Sequence, residues 1–291
     1  MSTVGFVFVR QVGAPRFEAF FNEILSGLEA VLVPAGTELL VQTVEDTAQE
    51  LAVYHHWHTT GVVEAVVLKD IRDDDDRIHQ LTELGLPFVL LADVTQTGEY
   101  AALRSDNAQA MRDSVAFFAR RGHRVVARVS GPASLVHSQI RTEAGREEAA
   151  RTELRITVAE GDYSTQSGYD ATEELLALTP RPTAIVYDND LMALGGLEAA
   201  TQAGVAVPDD LSILAWDDSV ACQLVVPTVS ALSHDVQEMG EQLGQALLAL
   251  TQDHRALSLQ ASQPVIVERE STAGPEAMPK DAADRALDTA G

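Results

Sequence analysis

Short apolar, β-branched runs alternate along most of this chain with longer stretches whose apolar residues recur every three or four positions. Residues 4–9 (VGFVFV) read as a buried strand. Residues 17–35 follow with Phe17, Phe20, Phe21, Ile24, Leu25, Leu28 and Leu32 at helical spacing, and Pro34 and Gly36 end that helix. The same alternation predicts strands over 39–44, 65–68, 88–92, 125–129, 155–159, 184–187, 211–215, 229–232 and 264–267. Between them it predicts helices over 48–59, 78–84, 108–120, 138–150, 168–178, 191–203 and 236–250. Strands that are apolar throughout and separated by helices predict parallel sheets covered on both faces.

At about 150 residues per domain, 291 residues make two lobes. The strands are too many for one small sheet, so the pattern predicts an α/β chain of two doubly wound parallel-sheet lobes. The expected break lies near 93–107, where Thr, Gly and Asn accumulate. A helix and a strand remain after two lobes are complete, which predicts that the chain crosses back between them. The expected N-terminal lobe is 1–104 plus 234–262, and the C-terminal lobe 105–233 plus 263–274. Helix 108–121 could instead pack with the first lobe. Residues 275–291 carry almost no large hydrophobes and read as a disordered tail.

Charge narrows the partners. Twenty basic against 44 acidic residues leave −24, a surface that repels phosphate backbones and anionic lipid. The single cysteine, Cys222, cannot form an internal disulfide, which fits a reducing compartment. No apolar run reaches the roughly 20 residues of a membrane span, and no basic region precedes residues 4–9, so a cytoplasmic location is expected.

The usual enzyme signatures are absent. There is no GxxxxGK[ST] loop, GxSxG elbow, HExxH or paired CxxC, and no GxGxxG follows the first strand. The expectation is a protein that is not an enzyme and needs no cofactor. His55, His56 and His58 surround Trp57, but zinc needs further ligands that the spacing does not supply, so no metal site is assigned. The run 73–76 is acidic without the glycine and glutamate of a calcium loop, and reads as a solvated loop. Cys222 has no visible activating base and reads as a small apolar residue.

Doubly wound sheets bind ligands beyond the carboxyl ends of their strands. Lys69, Asp106, Asn107, Asn189, Asp190, Asp217 and Asp218 fall at such ends. Each Asp or Asn could simply cap the next helix. Two facing lobes would aim the whole set at one cleft.

Three segments carry a resemblance: DNDLMALG at 188–195, GVAVPDDLSI at 204–213 and WDD at 216–218. FFNEI at 20–24, the pair Asp106–Asn107, GHR at 122–124, Gly131–Pro132 and GDYS at 161–164 agree with it. Over about residues 3–272 the chain resembles the core of LacI/GalR-type transcriptional regulators, which share a periplasmic-binding-protein-like (type I) fold. The VPDDLSI segment favours regulators over secreted sugar-binding relatives. Such regulators begin with a helix-turn-helix headpiece, whereas Val4 here already belongs to the first core strand. DNA contact would therefore fall to a headpiece not present in this chain.

The resemblance implies a small sugar-like effector between the lobes. Arg141 matches the arginine that clamps effector hydroxyls or a carboxylate, and Asn189 and Asp217 match further polar contacts. Tyr163 matches an aromatic that packs on the ligand. Phe20, Phe21 and Ile24 match the apolar wall of the first lobe, with Asp106 and Lys69 as polar partners, and His234 falls on a crossover strand at the cleft. Plainer roles stand beside these. One of Phe20 and Phe21 must face the core, Tyr163 could be a core aromatic, and Arg141 could pair with Glu143 or Glu147. Ala144, Ala215, His137 and the run 229–231 depart from the family pattern and leave the effector's identity open. The implied function is the sensing and dimerisation core of a repressor, a homodimer that couples effector binding to the DNA affinity of its headpiece. Leu194–Ala199 and the stretch Cys222, Leu224, Val225 and Val226 are the expected dimer surfaces. The alternative is a freestanding sugar-binding protein of the periplasmic-binding class.

Overall fold

The computed structural model describes residues 2–10, 19–93 and 100–274. Phe17 and the expected tail lie outside these residues. The elements run β1 (Ser2–Val9), α1 (Ala19–Leu32), β2 (Thr37–Val44), α2 (Thr47–Thr60), β3 (Ala65–Leu68), α3 (Asp76–Leu84), β4 (Phe88–Leu91) and β5 (Ala101–Arg104). They continue as α4 (Asn107–Arg120), β6 (Val125–Ser130), α5 (Val136–Arg151), β7 (Arg155–Glu160), α6 (Thr165–Leu176), β8 (Ala184–Tyr187), α7 (Asp190–Gln202) and β9 (Ser212–Trp216). The last are α8 (Val220–Leu224), β10 (Ser230–Ser233), α9 (Val236–Gln252), β11 (Ser258–Gln260) and β12 (Val265–Val267).

Two compact units result. The first holds residues up to Asp106 with Ser134–His137 and Asp235–Gln263, and the second holds Asn107–Ala133, Ser138–His234 and the described residues from Pro264 on. Each contains a six-stranded sheet, ordered β11-β5-β4-β3-β1-β2 and β12-β10-β9-β8-β6-β7. The two orders are the same pattern, with the first strand of each half between its second and third. That places a topological switch point between β1 and β3 in one unit and between β6 and β8 in the other. All strand pairs are parallel except β10 with β12, which is antiparallel.

Central strands are buried on both faces, as AVVL in β3, AIVY in β8 and SILAW in β9 show. In the first unit, alternate residues of β1 serve opposite layers. Val4, Phe6 and Phe8 join Ile24, Leu28 and Leu32 of α1 and Met239, Leu243 and Leu247 of α9. Val7 joins Tyr54 and Trp57 of α2 and Leu81 of α3. Fully burying each such leucine or isoleucine stabilises the fold by about 1.5–3 kcal/mol. In the second unit, Met111, Val115, Phe117 and Phe118 of α4 pack with Val126, Val186, Leu214 and Trp216. Helix α4 thus belongs to the second core, not to the first lobe.

Several expectations need correction. The interval 93–107 contains the first boundary between the units, at Asp106 and Asn107, but it also holds strand β5, with which β11 pairs in parallel. Strand β6 is not apolar throughout, because Arg128 stands in it with no exposed surface. The acidic run is not wholly solvated: Asp75 caps α3 and ion-pairs with Arg77 (Nη2 to Oδ2 2.6 Å). Arg77 also binds Glu50, which accepts from the Tyr54 hydroxyl (2.7 Å). Most of Leu194–Ala199 is used inside the second unit, with Leu197 and Ala199 buried. A Cβ on Gly195 would lie 1.9 Å from the Thr165 carbonyl oxygen, so α6 and α7 meet backbone to backbone.

Helices α1 and α9 make the tightest crossing of the first unit. A Cβ on Gly27 would lie 2.1 Å from the Gln237 carbonyl oxygen, and one on Gly240 would lie 2.3 Å from that of Ile24. Both obstacles are backbone and cannot swing aside. Gly240→Val is expected to lower stability to urea by about 2–4 kcal/mol. Gly36→Ala meets nothing within 4 Å and bears only the strain of φ 73°, about 1 kcal/mol. Equal losses for the two would refute the backbone contact.

Candidate functional site

In the first unit the candidate residues gather at the carboxyl ends of β1 and β3. The Phe21 ring meets Phe8 edge to face (centroids 5.2 Å, 78°) and Phe20 likewise (5.2 Å, 89°). Both Phe20 and Phe21 are half-buried and lean on the core, so neither is given over wholly to it. Ile24 has no exposed surface and is a core residue. Lys69 Nζ lies 4.4 Å from the Phe21 centroid and 5.3 Å from that of Phe8, over apolar rings that attract a cation. It also ion-pairs with Asp70. Burial would raise the Asp70 carboxyl, but the Lys69 charge, with those of His137 and Arg77, holds it below its usual range. Asp106 is exposed.

In the second unit Arg141 projects from α5 toward the ends of β8 and β9. Its Nε donates to Asn107 Oδ1 (2.7 Å), and its Nη1 lies 3.4 Å from the Asp188 carbonyl oxygen and 3.5 Å from Asp188 Oδ2. Its guanidinium carbon lies 3.6 Å from the Trp216 ring centroid. Pairing with Glu143 or Glu147 is not found, and Glu147 takes Arg112 instead (3.1 Å). Nη2 has no hydrogen-bond partner among the described residues.

Asn189 caps α7, accepting from Met192 N (2.9 Å), and donates to the Tyr163 carbonyl (2.9 Å). The plainer role as a cap is therefore real, and the same side chain pins the loop that carries Tyr163. Tyr163 is buried, and its ring lies over Gly131, where a Cβ would stand 2.0 Å from the phenol oxygen. Asp217, half-buried, follows β9 directly. Backbone strain marks the same places. Of the six described non-glycine residues with positive φ, Asp70 (53°), Tyr163 (69°) and Asp217 (71°) follow β3, β7 and β9. Left-handed non-glycine residues are costly and concentrate at functional sites.

His234 ends β10 with its ring 6.2 Å from that of Trp216, and both its nitrogens are buried without a partner. Burial, reinforced by the Arg141 charge, lowers its pKa to about 4. His123 behaves alike for a structural reason. Its Nε2 donates to the Ala273 carbonyl (3.0 Å), so Nδ1 accepts from the Thr183 hydroxyl (2.8 Å), and burial holds its pKa at about 4.

Sequence reasoning placed Asn107 among the strand-end groups but did not assign Trp216, Asp188 or Arg128 to the site. The available signal was the lone arginine inside an apolar strand, which demands a buried counter-charge. Cys222 is fully buried, and its thiol is pushed up to about 12 by burial. Among the described residues no group of three or more His, Cys, Asp or Glu is placed to hold a metal. Among them too, no helix is long and apolar enough to cross a membrane.

Two like-ordered α/β units with polar residues at their strand ends define the class, and residues 115–272 match the model of the periplasmic binding protein-like domain. A LacI family transcriptional regulator from Bifidobacterium animalis subsp. lactis is 34% identical and superposes with a TM-score of 0.85, over 94% of this chain and 98% of that one. The chain belongs to the LacI family of transcriptional regulators. It is also 26% identical to the probable HTH-type transcriptional repressor ExuR of Bacillus subtilis, over 85% of this chain and 74% of that protein. The regulator CelR, solved in complex with cellobiose, shares the fold (TM-score 0.85, 24% identity, 92% of this chain and 84% of that one).

The two histidines make stability pH-dependent. Their unfolded value is 6.5 and their folded value about 4, so below pH 6.5 the unfolded chain takes up protons that the folded one does not. Stability is expected to fall as pH drops from 6.5 toward 4, by about 1.4 kcal/mol per pH unit for each histidine. Urea melts of the parent and of His123→Gln across this range check it, and the variant's slope should be shallower by one proton.

Proposed function

We propose that this chain is the effector-sensing core of a cytoplasmic repressor that binds a small sugar-like molecule and catalyses no reaction. One observation carries the reading. His234, at the end of β10, keeps both ring nitrogens buried without a partner among the described residues, and beside it the Arg141 guanidinium reaches from α5 to the ends of β8 and β9. Such groups are costly unless something completes them. A vicinal diol suits them, because it accepts from the guanidinium and both donates to and accepts from a neutral imidazole. Trp216 backs the arginine, and Asp217 and Tyr163 stand at neighbouring strand ends. Family resemblance offers Phe20, Phe21, Lys69 and Asp106 as the first unit's ligand contacts, and Asn189 in the second as cap and contact together. The solved complex of CelR with cellobiose supports a carbohydrate, and membership of the LacI family supports a regulator over a freestanding binding protein.

DNA contact falls to a basic helix-turn-helix module, since a −24 core repels phosphate. An effector alters operator affinity only to the extent that it binds two states of the core unequally, and the coupling is reciprocal. The core works as a homodimer. Val220, Leu224 and Val226 are 67%, 75% and 89% exposed, an apolar set at and after α8 that a second copy would cover.

A thermal-shift screen with ribose, glucose and cellobiose, then sugar phosphates, polyols and nucleobases, tests the site. At a hundredfold excess over Kd a ligand stabilises by about 2.7 kcal/mol, several degrees in Tm. Arg141→Ala and Asp217→Ala should each abolish the shift and leave the ligand-free protein folded. A full response by both variants would mean that the site lies elsewhere. The double variant Leu224→Asp with Val226→Asp is expected to elute as a single chain in size-exclusion chromatography, where the parent elutes as two.

A further inference from the structure

The geometry points to the buried pair Arg128–Asp188 as the positioning device that sets the effector-facing guanidinium of Arg141. This rests on the reading of Arg141 as an effector contact and extends it to two residues that touch no ligand.

Arg128 lies in β6 with no exposed surface, yet each of its five donors is used. Nε donates to Asp188 Oδ1 (2.7 Å) and Nη2 to Oδ2 (2.5 Å), a bidentate fork. Nη1 donates to the Thr142 hydroxyl (2.7 Å), and Nη1 and Nη2 approach the Ser138 carbonyl oxygen (3.4 and 3.3 Å). Ser138 and Thr142 flank Arg141 on α5. The Thr142 hydroxyl donates in turn to the Ser138 carbonyl (2.8 Å), so both its hydrogen-bonding roles are fixed.

Asp188 completes the arrangement from the end of β8. Its Oδ2 accepts from Gly131 N (3.2 Å) and lies 3.5 Å from Arg141 Nη1. The Ser138 hydroxyl donates to the Gly131 carbonyl (3.1 Å). One guanidinium therefore joins β6, β8, the loop at Gly131 and the turn of α5 that bears Arg141. Burial would raise the Asp188 carboxyl, but Arg128 and then Arg141 hold it at about 2, so it stays ionised at any ordinary pH.

Stability alone does not account for such a pair. Well-packed apolar residues of similar volume often stabilise a core as well as a buried ion pair does, or better. What an apolar pair cannot do is fix the direction of a neighbouring guanidinium. At metal sites, groups that orient the ligating side chains change affinity about 10- to 100-fold when removed, and a guanidinium held by a buried pair follows the same logic.

The test is the double variant Arg128→Met with Asp188→Leu, which removes both charges of the pair together and leaves Arg141 its hydrogen bond to Asn107. Trp216 emission reads the position of Arg141 without any sugar, because the guanidinium stacks on that ring, and Trp57 in the other unit adds a constant background. The expected result is a folded protein with the emission of Arg141→Ala and a Kd at least about tenfold weaker for whichever of ribose, glucose or cellobiose the parent binds. Parental emission and affinity would overturn the proposal. Should the double variant not fold, Thr142→Val deprives Arg128 of one acceptor only. It should shift the same emission and weaken binding about threefold or more, and no change in either would be equally fatal. If the parent binds no sugar while the emission still follows the pair, the positioning stands and the effector reading falls.

Discussion

A charge in the middle of a covered parallel sheet has to be answered within the sheet. Arg128 meets that demand through Asp188, and its remaining donors reach the helix that follows. The second unit is organised about this pair at its switch point between β6 and β8. Gly131 has no side chain because the Tyr163 ring occupies that space, and its N–H is held by Asp188. Tyr163 is held in turn through its carbonyl by Asn189, whose side chain also starts α7. The polar groups at the strand ends are thus steps in one hydrogen-bonded frame.

The first unit reaches a comparable end by other means. At its switch point the organising group is Lys69, set over Phe8 and Phe21 and paired with Asp70. Beneath it Arg77 links Glu50, Asp75 and the backbone carbonyls of Lys69 and Asp70. Here an exposed-looking acidic run does structural work, because a buried arginine needs every carboxylate and carbonyl it touches.

Much of this was legible in the sequence because two periods govern it. Strands such as 65–68 and 184–187 were readable because burial on both faces leaves an uninterrupted apolar run. β5 (AALR) and β11 (SLQ) were not, since each is short and poor in β-branched residues, and each is defined by the strand beside it. The strand-end position of Asn189 and Asp217 followed from the alternation, and the candidacy of Arg141, on a helix, from family resemblance alone. The cation–π stack on Trp216 and the Arg128–Asp188 pair did not, because the partners lie far apart in the chain, Arg128 and Asp188 by 60 residues, and a single sequence does not say which will meet. Asn189 shows the limit of choosing between a cap and a contact, since one amide offers enough atoms for both.

The glycine crossing of α1 and α9 bears on how the protein is made. Helix α1 emerges from the ribosome early, yet the helix it must press against belongs to Asp235–Gln263, after the chain has left to build the other unit. At 5–20 residues per second, some 10–40 s of synthesis separate the two. Throughout that interval the face of α1 that meets α9 lacks its helical partner, and only β1 and its neighbours cover the rest, while most of the second unit can already condense. Nascent chains of this protein should therefore be clients for chaperones at their leading end, and translational pauses late in the message would lengthen that vulnerable state.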